Sequence, residues 1–118
     1  MNWTILISEE YETWFETLPQ NHKLAISADL TVLENMGPML GRPYVVQIKG
    51  SKYNNLKELR TQISGHVYRS LFAFDPERKA IILSGGDKKG KNQSKFYKQL
   101  IAQAENIFDA HLRKIHKK

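Results

Sequence analysis

The residues of this chain that could do chemistry are cations, and they are concentrated. Between Arg42 and Lys98, thirteen Lys and Arg residues face four acids, a local net charge of +9, whereas residues 1–41 carry one Lys and six acids and sum to −5. Charge separated in this way favours contact with a polyanion, and nucleic acid leads among the partner classes. Strand alternation sorts several cations by face. Glu58 and Arg60 share a side with Leu56, Lys57 lies on the side of Leu59, and in the next strand Val67, Arg69, Leu71 and Ala73 share one face. An Arg among apolar residues is costly unless it meets an anion, so Arg69 either pairs with Glu58 or points to a cleft that accepts phosphate. Further on, the run from Gly85 through Asp87, Lys88, Lys89 and Lys91 to Gln93 reads as a loop between the last strand and the last helix. Its glycines let a backbone approach a ligand and its lysines reach phosphates. Phe96 and Tyr97 open the helix that follows, and Tyr97 reads as a core anchor or as a platform for a base.

Other chemistries find little support. His22, His66, His111 and His116 are scattered, and Asp29, Asp75, Asp87 and Asp109 fall in unrelated elements, so no metal-ligand spacing emerges. A nucleophile triad, a phosphate-binding Gly-rich loop ahead of a helix and a dinucleotide fingerprint are missing too, and no cofactor is implied. With no Cys, disulfides and thiolate metal sites are excluded, which is compatible with a reducing cytosol. Glu9, Glu10 and Glu12 interrupt anything resembling a secretory signal, and no long apolar run suggests a membrane span. The expectation is a soluble, cytoplasmic protein. Its 118 residues, 41% of them apolar, suit one domain spanning 1–118 with a real core.

Those cations must be positioned by elements that the pattern makes visible. Trp3 to Ile7 reads as a strand, and Ser8 with Glu9 and Glu10 as a helix start. Tyr11, Trp14, Phe15 and Leu18 recur at helical spacing; a second helix spans roughly Asn21 to Met36, stopped by Gly37-Pro38, and forms an antiparallel hairpin with the first. Strands follow at Tyr44–Ile48, Leu56–Ile63, His66–Phe74 and Lys79–Leu83, with turns at Gly50-Ser51, Ser64-Gly65 and Asp75-Pro76, as in a meander. From Ser94 the stripe Tyr97, Leu100, Ile101, Ala104, Ile107, Phe108 and His111 predicts a helix packed on the sheet, with Arg113–Lys118 as a frayed basic tail. The fold class is α+β: an N-terminal strand and helical hairpin, an antiparallel twisted sheet and a C-terminal helix.

The helical hairpin, the strand Leu56-Lys57-Glu58-Leu59-Arg60, the strand Tyr68-Arg69-Ser70-Leu71-Phe72, then Ile81-Ile82-Leu83, Lys88-Lys89 and a closing helix together resemble the RelE/ParE superfamily of toxins, in its phage-derived HigB-like branch. The resemblance covers nearly the whole chain. It implies a RelE-like fold and the toxin of a type II toxin–antitoxin system, inhibited by a cognate antitoxin. It further implies a metal-independent endoribonuclease cutting mRNA on the ribosome; branches related to ParE poison DNA gyrase without being nucleases, and a plain RNA- or protein-binding module is the third reading. For a ribonuclease, Arg60 and Arg69 suit the phosphate, and Lys57, Lys88 or Lys89 would add charge or handle a proton. Lys49, Lys52, Lys91, Lys95, Tyr97 and His66 are the candidate RNA contacts, His66 also as a proton shuttle. The chain departs from the family pattern by placing Gly86-Asp87, and not an apolar-aromatic residue, ahead of Lys88-Lys89.

Overall fold

Ser8 starts the first helix as its side chain suggests. Its Oγ accepts the backbone N–H of Tyr11 at 3.0 Å and donates to the Leu83 carbonyl at 2.7 Å, so one residue caps a helix and ties it to the sheet. The computed structural model describes residues 2–116. In chain order these form β1 (Thr4–Ile7), α1 (Glu9–Phe15), α2 (Gln20–Met36), a short 3-10 turn, β2 (Val45–Gln47), β3 (Lys57–Ile63), β4 (His66–Phe74), β5 (Lys79–Asp87) and α3 (Gln93–His116). The sheet runs β1-β5-β4-β3-β2. Strands β2 to β5 are the expected antiparallel meander. β1, however, pairs parallel to β5, because α1 and α2 carry the chain across one face from that edge to the opposite one.

Period-two alternation then divides the core. Tyr11, Leu33, Leu59, Phe72 and Ile82 pack between the sheet and α1 with α2, while Leu56, Leu71, Leu83, Phe96, Leu100 and Phe108 pack between the sheet and α3. Burying a ring as completely as that of Phe72 contributes roughly 1.5–3 kcal/mol. α1 rests on β5 and α2 on β3, so the sheet is what holds the helical pair in place.

Two expectations need correction. The glycines at 85 and 86 belong to β5 and not to the following loop, because rings cover both faces of the strand there. A Cβ on Gly85 would meet the Trp14 ring at 2.4 Å, and one on Gly86 would meet Phe96 at 2.9 Å. The basic segment from Arg113 to His116 is the last turn of α3 and not a frayed tail. Leu112 packs against the core ahead of it, and Arg113, Lys114 and His116 suit the negative end of the helix dipole. Lys117 and Lys118 lie outside the described residues.

Candidate active site

Strand register brings Arg60 and Arg69 together: they stand directly opposite each other across β3 and β4, and alternation turns both toward α3. Arg60 Nε donates to Glu58 Oε2 at 2.6 Å, and Arg69 Nε lies 3.8 Å from the same oxygen. Arg69 also donates to the Tyr97 hydroxyl, and from Nη1 to the Val67 carbonyl at 2.8 Å. The two alternatives for Arg69 therefore resolve toward a pairing with Glu58, completed by a tyrosine from the first turns of α3.

Burial gives the four residues different roles. Glu58 is 1% exposed and Arg69 5%, whereas the Arg60 side chain keeps 35% of its surface open. Arg60 is thus the cation that can meet a ligand, with Arg69 behind it. Two guanidiniums share one carboxylate, which leaves one positive charge in excess where water is scarce. Glu58 holds both cations at the expense of its own bonding, since its Oε1 is buried without a hydrogen-bond partner. The Glu58 hydrogen bond pushes the Arg60 pKa up, against the effect of burial. Burial pushes the Tyr97 phenol up, the Glu58 carboxylate adds to this, and Arg69 opposes it. The phenol therefore stays protonated at neutral pH.

The remaining predicted residues are not all gathered here. Lys57 points to the opposite face, its ammonium 5.6 Å from the centre of the Phe74 ring, because one residue along a strand reverses the side. His66 is turned away from Arg69 for the same reason; it pairs with Asp87 and stacks on Tyr68 beside His22 of α2. Asp87, the acid ahead of the lysines, has a structural task. Burial pushes its carboxyl up, but the Lys89 amide and His66 outweigh this and leave it below its ordinary value. Lys88 reaches Gln93 Oε1 at 3.4 Å, and Lys89 Nζ overhangs Gly65 in the β3–β4 turn. Lys91 lies over the Phe96 ring, and the Lys95 backbone N–H is capped by Asn92 Oδ1 at 3.0 Å; both side chains, like Lys49, are exposed. Lys52 is engaged already, with Nζ 2.9 Å from Asp109 Oδ2.

Sequence reasoning missed two acids that organise the site's surroundings. Glu105 Oε2 accepts from Ser51 Oγ and from the Lys52 backbone N–H, both at 2.8 Å, and Asp109 takes Lys52 and the Tyr53 hydroxyl. The β2–β3 loop is thereby clasped to α3. The signal was present as two acids four residues apart on one helix, but their partners are more than fifty residues away in sequence. Among the described residues, no three His, Asp or Glu side chains gather as a metal site, and no helix is long and apolar enough to cross a membrane.

Residues 13–109 match the family described as phage derived protein Gp49-like. Over 101 residues the chain is 40% identical to a Mycobacterium tuberculosis protein provisionally named toxin HigB3, with 86% of each chain covered. This chain belongs to the Gp49-like family, in the HigB-like branch of the RelE/ParE toxin superfamily. The HigB-like chain is also 38% identical over 113 residues to a second M. tuberculosis protein, provisionally named toxin HigB2; the match takes in 95% of this chain and 55% of that protein's length. Among solved structures, an Escherichia coli RelE variant in the free state superimposes with a TM-score of 0.65 at 12% identity, over 90% of this chain and 97% of RelE. The RelE of an archaeal RelE–RelB complex from Pyrococcus horikoshii gives 0.55 at 18% identity, over 76% and 99%. These two establish the fold of the HigB-like chain, α+β with a mixed open sheet and a C-terminal helix.

Proposed function

We propose that this HigB-like chain is the toxin of a type II toxin–antitoxin pair and that, once released from a cognate antitoxin, it cleaves ribosome-bound mRNA in the cytoplasm without a metal. Family membership supports the toxin role, and the RelE–RelB complex supports a protein antitoxin as the partner. The observation that carries the nuclease reading is the pair of cross-strand arginines facing one carboxylate with the Tyr97 hydroxyl among them.

In such a reaction the ribose 2′-hydroxyl gives its proton to water as its oxygen attacks the adjacent phosphorus, the bond from phosphorus to the 5′-oxygen breaks, the 5′-oxygen takes up a proton, and a 2′,3′-cyclic phosphate and a 5′-hydroxyl result. Negative charge grows on the phosphate oxygens at the crowded centre. Arg60, open to solvent, grips those oxygens, and Arg69 adds its charge from behind. Tyr97, kept protonated, donates to the leaving 5′-oxygen. Glu58 is a positioning residue that orients both guanidiniums. The exposed Lys89, Lys91 and Lys95 border the same end of the sheet and supply sequence-independent attraction for the strand.

The test is pulse labelling of protein and DNA synthesis after brief induction in bacteria, with primer extension on an abundant mRNA, for wild type and Arg60→Ala. Translation should fall rapidly with new 5′ ends inside translated codons, and Arg60→Ala should lower cleavage by about 10²–10³-fold, the usual loss of an oxyanion donor. Intact mRNA with stalled DNA synthesis would overturn the nuclease reading in favour of gyrase. Normal growth on inducing the wild type would overturn the toxin role.

A further inference from the structure

Strand β1 accompanies β5 only as far as Ile82, and Ser8 takes up the carbonyls at the join, its N–H donating to Ile82 at 3.0 Å and its Oγ to Leu83 at 2.7 Å. Past that join, β4 is the one strand beside β5 among the described residues. The Leu83 carbonyl points to the open edge, so alternation turns the N–H and C=O of Gly85 the same way. Gly85 is partly exposed. A space of about 390 Å³ opens there between α1 and α3, with Trp14 over Gly85 and Phe96 over Gly86, and a hollow of about 370 Å³ adjoins it at Lys91, Phe96 and Gln99. No acid lines either space; Lys91 belongs to both and Lys95 to the second. Asp87, at the end of the strand, is already bonded to His66 and to the Lys89 N–H.

We infer that this notch takes an extended, acidic segment of the antitoxin as a short added strand on β5; the inference rests on the toxin reading for its partner. Three features favour that occupant. The Gly85 edge offers a donor and an acceptor together, which a peptide backbone matches in kind. The phosphates of a polynucleotide only accept, so they would meet the Gly85 carbonyl unfavourably. Trp14 and Phe96 stand on opposite faces of β5, where they can receive the alternate side chains of an added strand. Charge decides the third point, because Lys91 and Lys95, with no acid lining the space, complement carboxylates on the incoming segment. Such a segment need not cover Arg60, which is on β3, two strands away. Its contact with the toxin site runs through Phe96, whose ring meets that of Tyr97 edge-on at 5.3 Å, so a strand lodged here bears on the turn of α3 that places the phenol.

The test uses the polypeptide encoded by the reading frame adjoining this gene, co-expressed with the full chain. Amide hydrogen exchange is measured by NMR on the complex and on the free ¹⁵N-labelled chain, and affinity is measured for wild type, Gln99→Glu and Gln99→Lys. Both substitutions change the charge at an exposed position of the notch with little change in helix propensity. Exchange at Gly85 and Asp87 at least about tenfold slower in the complex would support the added strand. So would opposite effects of the two variants, Gln99→Glu weakening and Gln99→Lys strengthening binding by about three- to fivefold, the range of an exposed charge pair. Protection confined to other surfaces, an affinity indifferent to the sign of the charge at position 99, or equal protection of Gly85 by a short RNA single strand would overturn it. A polypeptide that binds elsewhere and still restores growth removes this docking site and leaves the antitoxin reading intact, whereas one that neither binds nor restores growth removes both. Protection of Gly85 in a chain that arrests no growth would keep the docking surface and remove the toxin role, so the two fail separately.

Discussion

The two faces of β3 and β4 bury polar groups of different charge. Toward α1 and α2 no carboxylate or guanidinium of these strands is buried: the Tyr11 hydroxyl meets Ser70 Oγ at 2.7 Å, His22 Nδ1 meets the Tyr68 hydroxyl at 2.6 Å, and Thr61 Oγ1 is left without a partner. Burial pushes the Tyr11 phenol up to about 12, with Ser70 opposing, so that pair is neutral. Toward α3, Arg60 and Arg69 share Glu58, and one Glu58 oxygen has no partner. Arg69 and Ser70 are neighbours in sequence, yet one is charged and under-compensated while the other is neutral and satisfied. Neutral pairing of this sort serves stability alone. A cationic excess kept at a partly buried place costs stability and favours an anion, as expected where a fold departs from its own rules at a working site.

Breaking the ionic face should have the largest effect. Arg69→Ala leaves Glu58 paired with Arg60 alone and takes away the donor to Tyr97 and to the Val67 carbonyl, so chemical denaturation should show a loss of about 1–3 kcal/mol together with loss of growth arrest. An unchanged denaturation midpoint would mean that the cluster is not coupled to the fold. Tyr97→Phe sharpens the contrast, because the ring and its packing remain. mRNA cleavage should drop by about 10²-fold, in line with the loss of a proton donor, while stability moves by only about 1 kcal/mol. Equal losses in both measurements would make Tyr97 a core residue and nothing more.

A smaller effect is expected at the far end of α3, where His111 Nε2 lies 2.8 Å from Asp75 Oδ2. Burial pushes the Asp75 carboxyl up, but His111 and the Lys79 and Glu77 amides outweigh it and hold the group below its ordinary value. A carboxyl depressed in the folded state stabilises the fold above its unfolded pKa, about 3.9, and that contribution is lost as pH falls through the folded value. Urea midpoints measured from about pH 7 down to pH 3 should therefore fall more steeply for wild type than for Asp75→Asn; parallel profiles would exclude Asp75 as the source of acid sensitivity. Least of all should change in Lys57→Ala. Its ammonium is on the other face from Arg60, so stability should stay within roughly 0.5 kcal/mol and cleavage should be retained. A loss of cleavage there would erase the division between the faces.

Much of this architecture was legible from local pattern. Ser8 ahead of two glutamates marks a helix start because a hydroxyl at that position captures an orphan N–H, and the stripe from Tyr97 to His111 marks a helix because 3.6-residue spacing builds one apolar face. The meander was legible for a similar reason: short turns such as Ser64-Gly65 force antiparallel neighbours. Gly85 and Gly86 were misassigned to a loop, since nothing local shows that Trp14 and Phe96 lie over them. Parallel pairing of β1 with β5 was hidden for the same reason, as it joins residues some seventy-five positions apart.

What the sequence determined by itself, then, is the menu of elements, the concentration of cations between Arg42 and Lys98, and the sorting of Lys57, Arg60 and Arg69 between faces. These follow from periodicity and charge, which act over a few residues. Tertiary structure alone decided that Arg60 stands opposite Arg69, that Glu58 serves both, that Tyr97 completes the cluster from α3, and that Lys52 is held by Asp109. Register between strands and the docking of a helix depend on how two whole cores fill, and no short window of sequence contains that information.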